Sequence, residues 1–112
     1  MPITKLTTLV DKMIMFYETH RWALGALYNG RGFCVLGAAS AIMTNEKRLI
    51  KDHNADKTYG TPNDTFKGID LLRRLRRDYT HQMGQSIIGM NDDAIDKRQV
   101  IRKLKAYRKL IS

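Results

Sequence analysis

Apolar residues recur at three- and four-residue steps near the start of the chain: Leu6, Leu9, Val10, Met13, Ile14 and Tyr17. Lys5, Asp11, Lys12 and Glu18 fall between them. This is the period of an amphipathic helix with one face on a core, and it predicts a helix over 4–21 with Thr4 as its N-cap. The period breaks over 22–35, where Asn29-Gly30 sits between two apolar runs. Asn-Gly supplies the positive φ angles of a tight hairpin turn, so a short β-hairpin is the expectation there. Residues 35–45 are small and apolar on nearly every side. They predict a short buried helix whose Gly37, Ala38, Ala39 and Ala41 let other backbone come close, with Glu46 to Lys51 as its extension.

Residues 52–63 are polar and rich in turn formers, and read as an exposed loop. Thr61, Pro62 and Asp64 then mark the start of a third helix. It runs to about Tyr79 and buries some of Phe66, Ile69, Leu72, Leu75 and Tyr79. Ser86 caps a short helical turn, Asn91-Asp92-Asp93 reads as a turn, and Asp96 caps the last helix with Gln99 completing a capping box. Val100, Ile101, Leu104, Tyr107 and Ile111 form the buried stripe of that helix. The expected fold is predominantly α: a compact four-helix single domain over 1–112 with a short β-hairpin near residues 22–35.

Composition narrows the function. The 112 residues hold 20 Lys+Arg against 11 Asp+Glu, a formal net charge of +9, with 43% hydrophobic residues. That balance is globular, and the length excludes a large multidomain enzyme. No apolar run reaches the roughly 20 residues of a membrane span, so no membrane partner is expected. The opening residues lack the pattern of a signal peptide, and a single cysteine fits a reducing compartment, so the expected location is the cytoplasm.

The excess positive charge attracts polyanions, and it is concentrated in the second half of the chain. Arg73, Arg74, Arg76 and Arg77 form one cluster. Lys97, Arg98, Arg102, Lys103, Lys105, Arg108 and Lys109 form another. Within the last helix, Arg98, Arg102, Lys105 and Lys109 share a narrow arc, read as lying beside the apolar stripe. The expected polyanion-binding residues are Arg73, Arg74, Arg77, Arg98, Arg102, Lys105 and Lys109.

Catalytic chemistry is harder to find. Cys34, His20, His81 and Asp92 are the ingredients of a cysteine nucleophile, and Cys34 precedes a helix N-terminus that favours a thiolate. Its FCVLGAA setting is apolar, however, and points to a packed, inert thiol. Three His and one Cys without CxxC or HxxxH spacing predict no zinc site. The run 91–96 lacks the Gly and terminal Glu of an EF-hand loop. No catalytic residue, metal or cofactor is therefore expected. Trp22 reads as a lid on the core at the end of helix one, while Tyr59 beside Lys57 is an aromatic able to stack on a base.

Three short motifs carry a family resemblance: His20-Arg21-Trp22, then Cys34-Val35-Leu36-Gly37-Ala38, then Asn91-Asp92 before the final helix. The chain resembles a family of small bacterial and phage proteins classed only as a domain of unknown function. Its pattern is His-Gly-Trp, Cys-Ala-Leu-Gly-Ala and Trp-Asn-Asp. Here Arg21 stands in place of the Gly, Val35 of the Ala and Met90 of the Trp. The resemblance implies a mostly helical fold and a bacterial host cell, and it implies no activity. Two function classes follow from the residues and the resemblance together. One is a non-enzymatic accessory protein that binds nucleic acid or a phosphorylated nucleotide through basic helices. The other is a protein–protein inhibitor or adaptor acting on a host protein, such as a phage anti-defence factor.

Overall fold

In a computed structural model of the chain, residues 3–24, 28–43 and 70–112 are described. Among them run five α-helices: α1 (Leu6–Thr19), α2 (Val35–Met43), α3 (Asp70–Met83), α4 (Ile87–Asp93) and α5 (Lys97–Ile111). Leu9, Val10, Met13 and Tyr17 bury the inward face of α1, as their spacing requires. This helix packs against α2, α3 and α5, so it is the hub of the core. Leu36, Leu72, Leu75, Tyr79, Leu104 and Tyr107 complete the interior from the other elements.

The sequence expectations hold for the helical class and differ in four places. There are five helices among the described residues and not four, because the turn after Ser86 is a two-turn helix. Ser86 does cap it, its Oγ accepting from the Gly89 N–H at 2.9 Å. Asn91, Asp92 and Asp93 form the last turn of α4 and not a separate turn. At α1 the N-cap is Lys5, with no side-chain cap, in place of Thr4.

No β-strand forms among the described residues, so the expected hairpin is absent there; only isolated bridges pair Phe33 with Trp22 and with Tyr28. The Asn29 side chain explains this locally. Its Oδ1 accepts from the N–H groups of both Arg31 and Gly32, each at 2.9 Å. That closes an Asx turn and diverts the amides from a ladder. Gly30 takes φ 93°, open to glycine without strain. Gly32 runs so close to the end of α1 that a Cβ there would lie 2.6 Å from the Arg21 carbonyl oxygen. The expected start of helix three at Thr61, Pro62 and Asp64, its buried Phe66 and Ile69, the helix extension over 46–51 and the Tyr59–Lys57 pair lie outside the described residues.

Asp96 caps α5 as expected, accepting from the Gln99 N–H at 2.9 Å. The Gln99 side chain reaches back to the Ile95 N–H at 2.7 Å, one residue earlier than a standard capping box.

Candidate anion-binding site

The most consequential geometry lies on α3. At 100° per residue, Arg73, Arg76, Arg77 and Thr80 share one edge of this helix, and Asp78 stands on the other. Leu71, Leu72, Leu75 and Tyr79 separate the two edges and enter the core. The arginine edge faces α4. Together with Ser86, Ile87 and Ile88 it lines a groove of about 390 Å³. Arg73 and Arg77 are exposed, and no acidic side chain among the described residues pairs with either. Arg73 and Arg77 thus present exposed guanidinium groups to the groove. Such groups bind phosphate with paired hydrogen bonds in a fixed fork.

The rest of the lining is less polar. Thr80 donates its hydroxyl to the Arg76 carbonyl at 3.0 Å, keeping its lone pairs toward other donors. Ser86 Oγ receives the Gly89 N–H and retains its own proton. Ile87 is buried, and the half-buried Ile88 gives the groove its apolar surface on the α4 side.

Helix α5 meets the other edge of α3. The Tyr107 hydroxyl donates to Asp78 Oδ2 at 2.6 Å, and the Tyr79 and Tyr107 rings meet edge-on at 4.9 Å. Arg98, Arg102, Lys105 and Lys109 are all exposed. They occupy the face opposite Val100, Leu104 and Tyr107, not the margin of the core, because two-hundred-degree steps such as 100 to 102 lead away from the stripe. This stripe of cations is about 16 Å long. The two basic surfaces thus lie on different sides of the α3–α5 contact. Arg74 is exposed outside the groove lining. Arg76, absent from the expected binding set, lies inside it. Plotting residues 73, 76, 77 and 80 on a helical wheel would have grouped them; their joining to Ser86, Ile87 and Ile88 needs the tertiary fold.

Two of the other basic residues of the last helix do structural work. Arg108 Nε pairs with Asp11 of α1 at 2.9 Å. Lys97 Nζ donates to the His20 carbonyl at 3.4 Å.

The cysteine constellation is drawn together only in part. Cys34 precedes α2, and its Sγ accepts the Gly37 N–H at 3.3 Å. Burial pushes the thiol pKa up, the amides of Gly37 and Leu36 pull it down, and the carboxylate of Asp92 pushes it up again. The result is a raised pKa, the reverse of an activated nucleophile. His20 is occupied at the end of α1. Its ring stacks on Phe16 at 3.7 Å, and its Nδ1 lies 2.8 Å from the Phe16 carbonyl oxygen. His81 is exposed on α3. Among the described residues no three His, Cys, Asp or Glu side chains gather as a metal site would require.

What does bring the separated motifs together is Asn91. It is 3% exposed. Its Oδ1 accepts from Trp22 Nε1 at 2.8 Å and from the Val35 N–H at 2.9 Å, while Nδ2 donates to the Ala23 carbonyl at 3.3 Å. One side chain thus ties the end of α1, the start of α2 and α4. Trp22 packs against the core, as expected of a lid.

The architecture defines a small all-α protein with a basic groove. No family model matches the chain, and neither the curated proteins nor the solved structures hold a match to it. The resemblance noted above rests on its short motifs alone; within this chain Trp22 and Val35 both bond to Asn91.

Proposed function

We propose that this protein is a non-enzymatic bacterial or phage accessory protein that binds a phosphate-bearing polyanion. The observation that carries the reading is the grouping of Arg73, Arg76 and Arg77 along one wall of the α3–α4 groove. Holding the exposed Arg73 and Arg77 one turn apart on a concave surface costs electrostatic repulsion, which a bound polyanion relieves. The exposed stripe of Arg98, Arg102, Lys105 and Lys109 adds a second attractive surface and raises the encounter rate for any anionic ligand. A raised thiol pKa argues against Cys34 as a nucleophile.

The competing reading, a protein–protein inhibitor or adaptor, has support from Ile95, which is 85% exposed beside Asp96. Met15, Leu24 and Leu110 are exposed as well; exposed apolar residues are ordinary on protein surfaces, so the polyanion reading, which has grouped arginines behind it, is preferred. The test is fluorescence-anisotropy titration of a labelled oligonucleotide and calorimetric titration of pyrophosphate at two salt concentrations. Polyanion binding requires affinity that falls with salt, and weaker binding by Arg73→Glu/Arg77→Glu or by Arg102→Glu/Lys105→Glu. Failure of both ligands to bind the wild type at low salt rejects it and leaves the protein-partner reading.

A further inference from the structure

We infer that the α3–α4 groove is a site for a nucleoside phosphate: the exposed Arg73 and Arg77 take its phosphates, and the half-buried Ile88 takes its base. This inference rests on the polyanion reading and narrows it to a discrete small ligand.

Size is the first argument. A groove of about 390 Å³ falls within the span of small-molecule sites, about 300–1,000 Å³. A nucleic-acid duplex is a broad convex cylinder, and it would touch the rim of this groove without filling it. The lining is also two-sided. A bare phosphate needs only the arginines, whereas the groove adds an apolar surface on the α4 side. On the arginine side the Thr80 hydroxyl has lone pairs to receive, and at the start of α4 the Ser86 hydroxyl has a proton to give. One donor and one acceptor suit the hydroxyl, amino and carbonyl groups of a nucleoside. The separation of the basic surfaces completes the argument. Because α5 joins α3 through Asp78, on the edge away from the groove, the groove and the α5 stripe form no continuous track. An extended strand following the stripe would leave the groove open for a separate ligand.

The experiment is calorimetric titration of the whole protein with ADP, with pyrophosphate and with a short DNA duplex, at low salt. ADP should bind more tightly than pyrophosphate by about tenfold or more, since burying a base against Ile88 adds apolar contact. Arg73→Gln/Arg77→Gln should weaken both by about tenfold for each charge-assisted hydrogen bond lost. Both positions are exposed, so the fold should survive, and circular dichroism checks that it does. Ile88→Ser should weaken ADP and leave pyrophosphate unchanged. Equal affinity for ADP and pyrophosphate, or ADP binding indifferent to the arginine changes, overturns the inference. Binding of the duplex through Arg102 and Lys105 without binding of ADP overturns it while leaving the polyanion reading standing. Absence of binding by all three ligands removes both.

Discussion

Replacing Asn91 by Ala should be among the most damaging single changes in this protein. The side chain is almost fully buried and makes three hydrogen bonds to elements far apart in sequence. Truncation orphans the Val35 N–H, the Ala23 carbonyl and the Trp22 indole N–H at once. A buried polar group left unpaired costs about 1–3 kcal/mol. Val35 and Ala23 are buried and should each cost near the middle of that range, while Trp22 is half-buried and recovers part of its loss from water. The expected total is about 4 kcal/mol, a large share of the 5–15 kcal/mol typical of a domain. At this chain length that lowers the melting temperature by about 15 °C. The assay is urea unfolding followed by far-ultraviolet circular dichroism and by the fluorescence of Trp22, the single tryptophan. Asn91→Asp should lose less, because it keeps both acceptor roles, and it should regain stability as pH falls and the carboxyl acquires a proton to offer Ala23. A loss below about 1 kcal/mol for Asn91→Ala, with an unchanged denaturant slope, would refute the claim that this residue joins the motifs.

Gly32→Ala should destabilise by about 1–3 kcal/mol, as overpacking does, because its Cβ would meet backbone at Arg21 and not a side chain that can swing aside; thermal unfolding measures it. Cys34 should react with a thiol reagent near neutral pH more slowly than a free cysteine, since burial raises its pKa; rapid labelling of the native protein contradicts this. Burial pushes the Tyr79 phenol up to about 12 and raises Tyr17 and Tyr107 as well, the last helped by its bond to Asp78. The folded state holds these protons where the unfolded state releases them, so stability is intact below about pH 10 and falls as pH rises above it; tyrosinate absorbance and circular dichroism should therefore change together. Arg102→Glu/Lys105→Glu should alter stability by no more than about 0.5 kcal/mol, because both groups stand in solvent.

The helices were legible where periodicity or a cap marks them locally. Leu9, Val10, Met13 and Tyr17 gave α1, and Ser86 and Asp96 announced α4 and α5 three residues ahead of the amides they receive. The hairpin misreading shows the limit of a dipeptide signal: Asn29-Gly30 does turn the chain, but the Asn29 side chain takes the amides that a ladder would use. Asn91 looked like a turn residue because its partners lie 56 to 69 residues away. No window on the sequence joins it to Trp22 and Val35. The charge clusters were visible as composition, yet which arginines cooperate depends on the helical wheel and on the neighbour. Arg76 enters the groove because α4 packs on that side, and Arg74 stays outside.

Phosphate binding in the α3–α4 groove can be observed residue by residue. The most direct measurement is a ¹H–¹⁵N NMR titration of the wild-type protein with pyrophosphate at low salt. Binding in the groove should give saturable shifts at the amides of Arg73, Arg77, Thr80 and Ser86–Ile88 and at the arginine side chains of α3, with α1 unmoved. Shifts confined to the outer face of α5, or none at saturating ligand, would contradict it.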